Sequence, residues 1–428
     1  MLPVCRTEGD IFSIPKFTVE KEDVDDFMKE LVGFHEEFQD CFARSEPRDN
    51  FFRYMVGQFS ELERKSIEPI ALVVEDGSVR SMQRSISGAV WNEEKILLKY
   101  RSMVHEDMGD PNGVLIFDET GFLKKGSDSV GVAKQYCGTI GKVDNCQVGV
   151  FMAYASPHGY ALVDKRLYMP EQWFGEEYAL RRNKCGVPQE RDFQTKPQLA
   201  VEMFAQFQSQ QILPFTYVVA DSIYGNSPEF IESVETCAGC TYFVSVRCDT
   251  LCWLKRPITR EKHYRYKGEV LTRRVVEKTE KKPISVETLA KNINEYFWYR
   301  RKVCEGTKGP IEYEFTKRQV ILSKDGLPEK TVWLVIKRTL DKKKYSYYLS
   351  NAPISTRLSV FVWLSGMRWP IEQCFEETKT ELGMDHYEVR KYAGWNHHIL
   401  TCMLAHFFLW HLKIRLGKKS TGHYGVAA

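Results

Sequence analysis

Val114-Leu-Ile-Phe-Asp118 and Tyr217-Val-Val-Ala-Asp221 are short apolar runs of strand character, and each stops at a carboxylate. In open α/β sheets ligands gather beyond the carboxyl ends of the strands, so an acid there meets solvent while its neighbours are held in the core. An Asp at a strand end is also ordinary turn or helix-cap material, and Asp118-Glu-Thr-Gly121 reads well as a turn. The pair is more informative than either member, and Arg368-Trp-Pro-Ile-Glu372 adds a third acid. On an ideal helix Glu372 and Lys379 lie about 20° apart and Arg368 about 40° from Glu372, so an acid and two bases share one face. Such a stripe suits a divalent metal with phosphates held by the bases. The competing reading is a helix laced with ion pairs, to which Glu376, Glu377 and Glu381 contribute. Pro370 belongs in a first helical turn, which leaves Arg368 just before the helix. Glu376, also about 40° from Glu372, is the rival acid.

Outward from these segments the chain changes character several times. Before Gly113 it reads as helices: Val24 to Phe42, with Phe27, Leu31, Phe34 and Phe38 at helical spacing, then Phe51 to Leu62, Leu72 to Val74, Ser81 to Val90 and Asn92 to Val104. Asn92 is placed to cap the last of these. Strands follow at Val114–Asp118, Cys146–Ala155 and Tyr160–Met169, the last two joined by Ser156-Pro-His-Gly159. A helix over 197–210, the strand ending at Asp221, a helix over 227–236 and a strand over 241–247 then alternate, which implies a parallel portion of sheet. Alternating segments at 269–276, 297–303, 318–322 and 331–337 interrupt this pattern as a largely β insertion of about 100 residues. Alternation resumes with Tyr345–Ser350 and a helix from Arg357, and helices continue to about Arg415 before a frayed end. The expected organisation is a helical DNA-binding or cap domain over 1–105, a catalytic α/β domain over 106–248 and 345–428, and an insertion domain over 249–344.

Composition agrees with that reading. With 428 residues, 43% hydrophobic and 27% charged, the chain is long enough for two or three globular units. No secretory signal is expected, and the most apolar segment, His398 to Ile414, is short for a membrane span and carries His406 and His411, so a buried helix is expected. Twelve cysteines suit a reducing compartment. Cys237, Cys240, Cys248 and Cys252 have the look of a zinc set, but a strand over 241–247 would hold the two pairs roughly 20 Å apart, so buried free thiols are expected. The net charge of +3 is uneven: Lys255 to Lys344 carries 25 Lys and Arg against 12 Asp and Glu. A basic block in an otherwise acidic chain suggests a polyanionic partner, against the plainer reading of a solvated lysine-rich surface.

These residues resemble a known family. The chain is similar to DDE transposases of bacterial insertion sequences, in the branch whose ribonuclease-H-like domain is split by a β insertion and whose third acid lies in a Tyr-x2-Arg-x3-Glu-x6-Lys signature. Arg368, Glu372 and Lys379 match three signature positions, and Ser365 stands where the tyrosine is expected. Asp118 in Phe117-Asp-Glu-Thr-Gly121 and Asp221 in Asp221-Ser-Ile-Tyr-Gly225 match the first two acids; Gly306-Thr-Lys-Gly-Pro-Ile311 and Gly394-Trp-Asn-His-His398 resemble a subgroup. The resemblance implies a ribonuclease-H-like mixed sheet interrupted by a mostly β insertion. It also implies two Mg2+ or Mn2+ ions held by Asp118, Asp221 and Glu372 for phosphoryl transfer. Arg368 and Lys379 would hold DNA phosphates, with Tyr224 against the same DNA. In related enzymes the β insertion holds the transposon end, which makes Trp298, beside Tyr299, Arg300 and Arg301, the candidate for stacking on a flipped base; the alternative is a Trp in the insertion's own core. His397 and His398 are expected to be structural.

The implied activity is cleavage of double-stranded DNA at terminal inverted repeats and strand transfer into target DNA, by a homodimer on DNA in the bacterial cytoplasm at the nucleoid, with no membrane partner. Two alternatives stay open: a domesticated DNA-binding protein that no longer cuts, with Ser365 as the sign of decay, and a nuclease or resolvase of the same fold.

Overall fold

The computed structural model describes residues 21–422 apart from 268, 307 and 308. Residues 423–428 of the expected frayed end, and Thr307 and Lys308 of the Gly306–Ile311 segment, lie outside the described residues. The chain divides into two compact units, one running to Thr216 and resuming at Arg368, the other Tyr217–Met367.

The first unit opens with five helices, α1 (Lys21–Glu36), α2 (Ser45–Gln58), α3 (Ile67–Val73), α4 (Val79–Gly88) and α5 (Glu93–Met108). Ser78 caps α4 by accepting from the Ser81 amide, and Asn92 caps α5 through the Lys95 amide, as its position predicts. Strands β1 (Val114–Leu123), β2 (Ala133–Cys137), β3 (Lys142–Ser156) and β4 (Gly159–Tyr168) form an antiparallel sheet. One edge of β3 pairs with β1, and its other edge takes β2 and then β4. Helices α6 (Ala179–Cys185) and α7 (Lys196–Gln210) follow, the second opened by a reciprocal Thr195/Gln198 capping box. After the second unit the chain returns as α12 (Trp369–Leu382) and α13 (Tyr392–Gly422).

The N-terminal helices are not a separate body. Phe34 packs on Phe407 and Phe408 of α13, Tyr54 of α2 donates to or accepts from His398 at 2.9 Å, and Tyr100 of α5 bonds the Leu162 carbonyl of β4. The apolar segment expected as a buried helix is the core of α13, and no helix among the described residues is long and apolar enough to cross a membrane.

In the second unit β5 (Tyr217–Ala220) pairs in parallel with β6 (Thr241–Val246) through the crossover helices α8 (Ser222–Gly225) and α9 (Pro228–Glu235). Strands β7 (Leu251–Trp253), β10 (Ile284–Ser285), β11 (Tyr299–Gly306), β12 (Gly309–Lys324), β13 (Leu327–Arg338) and β14 (Tyr345–Ser350) extend this sheet in the order β10-β7-β12-β13-β14-β6-β5, with β11 also on β12. The basic insertion is therefore hydrogen bonded into its host: β13 pairs with β14, and β14 with β6. Helices α10 (Val286–Lys291) and α11 (Leu358–Gly366) complete the unit, and β8 (Thr259–Tyr266) and β9 (Glu269–Val276) form a two-stranded sheet of their own. Antiparallel pairing of β1, β3 and β4 in the first unit and parallel pairing of β5 with β6 in the second agree with the mixed α/β class expected from the sequence.

The cysteine expectation needs one correction. Cys237 and Cys240 are joined in a disulfide across the turn before β6, whereas Cys248 is free and exposed and Cys252 free and buried. With β6 intervening and two thiols consumed, these four residues form no zinc set, and no group of three or more candidate ligands that could hold a metal occurs among the described residues.

Candidate active site

Asp118 does not end its strand. Pairing with β3 continues through Leu123 opposite Cys146, so Asp118 sits mid-strand opposite Phe151, and the turn expected at Asp118–Gly121 is extended backbone. The end of the apolar run does not mark the end of the strand: Val114, Leu115, Ile116 and Phe117 are all buried because both faces of β1 are covered, while polar residues follow where the strand remains paired. Gly121 permits that continuation, since a Cβ there would lie 2.4 Å from the Cys137 thiol.

The two-residue alternation of β1 sends its adjacent acids to opposite faces. Glu119 turns toward α7, where Lys196 pairs with it at 2.8 Å, and Phe117 on the same side meets Phe204. Asp118 and Thr120 turn toward α12. Arg368, at the N-cap position of α12, brings its Nε within 4.0 Å of Asp118 Oδ2, and donates to Glu372 Oε1 from Nε at 3.1 Å and from Nη2 at 2.5 Å. One guanidinium thus faces a carboxylate from each of two elements distant in sequence. Asp118 keeps 14% of its side chain exposed and Glu372 51%, so one acid is set into the wall and the other stands in solvent.

The third-acid rivalry also has a local geometry. Glu376 is turned to Gln373 at 3.3 Å, and Glu377 is taken up by Tyr160 and His406 at 2.9 and 2.7 Å, so neither meets Arg368 in the way Glu372 does. Pro370 lies in the first turn of α12, as expected, and Arg368 still reaches Glu372 from just outside the helix.

Lys379 differs from the expected open phosphate contact. Its ammonium donates to Thr120 Oγ1 at 2.7 Å, the Gly121 carbonyl at 3.0 Å and Thr139 Oγ1 at 3.1 Å, and burial pushes its pKa down. It joins α12 to β1 about two helical turns beyond the acid. Its helical alignment with Glu372 was visible in the sequence; the three acceptors were not, because Thr139 comes from the loop after β2.

The remaining candidates lie in the second unit. Asp221 follows β5 and caps α8 by accepting from the Ile223 amide at 2.8 Å. Tyr224 is fully buried, with its ring against Phe230. Trp298 is only 8% exposed, its face covered by the Arg338 guanidinium 3.9 Å from the ring centre and its edge by Tyr345. This is the packing of a Trp in the insertion's own core, in place of the exposed stacking surface. Arg300 pairs with Glu312, and Arg301 lies over Tyr299. Ser365 spends its hydroxyl on the Val362 carbonyl of α11. His397, stacked on Trp91, and His398, bonded to Tyr54 and the Met384 carbonyl, are structural as expected.

The donor set fits a hard divalent cation in kind: Asp118 and Glu372 offer only carboxylate oxygens, and their joint negative charge already holds one cationic group. A family model described as DDE superfamily endonuclease matches residues 37–310, a span that includes Asp118 and Asp221 and stops short of Glu372. A protein of Microchaete diplosiphon described as a probable transposase for insertion sequence element IS701 is 25% identical over 347 residues, which are 80% of this chain and 77% of that protein. Among solved structures, a piggyBac transposase synaptic complex with hairpin DNA aligns at a TM-score of 0.36 and 10% identity, covering 95% of this chain and 68% of that one.

Proposed function

The chain belongs to the DDE superfamily endonucleases, and from that premise we propose that it acts as an insertion-sequence transposase whose three acids are Asp118, Asp221 and Glu372. The observation that carries the assignment is the shared engagement of Asp118 and Glu372 by Arg368. The family uses divalent metal ions; we assign Mg2+ or Mn2+, two per site, to carboxylate oxygens of the three acids. Such ions supply activation of the attacking oxygen and stabilisation of the departing one.

The residues of the chain do the rest. Asp118, fixed by its β3 pairing, presents oxygens that cost no reordering on binding. Glu372, half exposed and paired with Arg368 through Oε1, would offer its carboxylate oxygens to a cation at the site. Arg368 has a planar donor fork that suits a phosphate as well as a carboxylate, so it is placed to hold the scissile strand. Lys379 is a positioning residue that keeps α12 in register with β1. In the first reaction a water oxygen forms a bond to phosphorus and the P–O3′ bond breaks, leaving a 3′-hydroxyl. In the second that hydroxyl attacks a target phosphodiester and expels its 3′-oxygen. The expected partners are terminal inverted repeats and target DNA, bound by a homodimer in the bacterial cytoplasm. Segment 249–344 is assigned to gripping the element's end, with Arg300 and Arg301 at its surface, and 106–248 with 345–428 to catalysis.

Nicking of DNA carrying the ends of the element, with Mg2+, tests this. Asp118→Ala, Asp221→Ala and Glu372→Ala should each lower nicking by about a thousandfold or more while leaving DNA binding nearly intact. Undiminished nicking by any of them removes that residue from the site.

A further inference from the structure

The β8–β9 ribbon pairs with no other strand among the described residues, and its base is closed by the Glu277 amide on the Ile258 carbonyl. Its eight-residue strands extend about 26 Å at 3.3 Å per residue. A two-stranded ribbon with so little beneath it is marginal in water. Nearly every described side chain along it is exposed, including Tyr264, Val270 and Leu271.

The register separates two unlike faces. On one, Glu261 lies opposite Arg274 and His263 opposite Thr272, with a 2.9 Å bond between the latter two side chains. Arg274 donates to Thr259 on the same face. Arg265, opposite Val270, completes this face, which therefore carries two arginines against Glu261 and makes its hydrogen bonds within the ribbon. On the other face Lys262 lies directly opposite Arg273, with Arg260 two residues toward the base and Tyr264 opposite Leu271 toward the tip. Two like charges directly across a strand pair destabilise it. Arg260 has Glu277 at 3.6 Å, and Glu269 is placed on this face only at the far end of the ribbon. This second face is the more cationic of the two, with Arg260, Lys262 and Arg273 in a strip that continues into the Tyr264/Leu271 pair before Glu269 at the tip.

We propose that the β8–β9 ribbon enters the major groove of duplex DNA, with Lys262 and Arg273 on phosphates and the Tyr264/Leu271 end toward base edges. The inference rests on the DNA-cutting reading above and goes beyond it by assigning the groove, the element and the face. A major groove about 12 Å wide admits a two-stranded ribbon, whereas a minor groove about 6 Å wide does not. Bound phosphate removes the Lys262–Arg273 repulsion, so the ribbon is stabilised by the same contact that it makes.

The test uses the full chain and a fluorescein-labelled duplex of arbitrary sequence, roughly three helical turns long, with anisotropy followed against salt. Lys262→Ala with Arg273→Ala should lower affinity at least tenfold and flatten the log K against log salt slope by about 2, one phosphate contact being worth about 0.9. Lys262→Glu, which turns the like pair into a cross-strand ion pair and so favours the folded ribbon, should weaken binding too, which separates lost contacts from lost folding. Glucosylated hydroxymethylcytosine, which fills the major groove, should weaken the wild type, and netropsin in the minor groove should not. An unchanged salt slope in both variants, or competition by netropsin without an effect of glucosylation, overturns the ribbon assignment even if the wild type binds and cuts. Failure of the wild type to bind any duplex overturns instead the DNA reading on which it rests.

Discussion

Strand β1 and the β8–β9 ribbon are both short runs of paired backbone, yet their side chains are held by opposite means. In β1 nearly every group has an internal partner: Glu119 has Lys196, Thr120 and Gly121 have Lys379, and Asp118 has Arg368 beside it. In the ribbon Lys262 and Arg273 have each other, with the wrong sign. On the proposed function the difference separates two kinds of functional surface. A reacting acid must be placed before the substrate arrives, so the core fixes it; a groove-seeking arm is completed by its ligand, so its charges are left unbalanced.

The contrast breaks most visibly at Arg368. Arg368→Gln should reduce Mg2+-dependent nicking by about a hundredfold, while thermal unfolding moves little because exposed ion pairs contribute only about 0–1 kcal/mol. A large loss of stability with retained nicking would show that the guanidinium serves the fold alone. Lys379→Met should be next, with nicking down about tenfold and stability down by about 1–3 kcal/mol as Thr120, Gly121 and Thr139 lose a buried donor. Unchanged chemical denaturation and unchanged nicking would show that α12 keeps its register without that amine.

A smaller effect is expected from acid. Burial depresses the pKa of His398 to about 3 from an ordinary value near 6.5, so the folded chain keeps this ring neutral while the unfolded chain takes up a proton. The stability it contributes is present above pH 6.5 and is lost as pH falls from there toward 3. Denaturation midpoints measured from pH 7 to 4 should fall in the wild type and fall less steeply in His398→Gln; parallel curves would remove His398 as a source of the acid sensitivity. The smallest effect belongs to the ribbon. Lys262→Thr should leave stability unchanged or raise it by a few tenths of a kcal/mol, since it removes a like-charge pair. A clear loss in calorimetry would mean that Lys262 has a structural partner.

Much of this division was legible in the residues. Asn92 as a cap, Pro370 in a first turn, and the strands over 269–276 and 345–350 followed from local rules that tertiary packing did not override. Asp118 was found but its surroundings were misjudged, because strand pairing through Leu123 depends on β3, some thirty residues on, and leaves no local mark. The alignment of Lys379 with Glu372 was read from helical geometry, yet the direction of its amine was set by Thr120 and Thr139, whose proximity is purely tertiary. Trp298 shows the same limit: its cationic neighbours in sequence suggested an exposed ring, and Arg338, forty residues away, covers it. The Cys237–Cys240 bond is hidden for a different reason: the spacing of these two cysteines is equally that of a metal pair or of separate thiols, and only the turn before β6 brings the two sulfurs together.

The proposed choice of Glu372 over Glu376 as the acid that completes the site follows from its pairing with Arg368. It is tested most directly by supercoiled-plasmid nicking with Mg2+, comparing Glu372→Ala and Glu376→Ala side by side at equal DNA binding. Loss of nicking with Glu372→Ala and near-normal nicking with Glu376→Ala is the result expected; the reverse pattern would contradict the assignment.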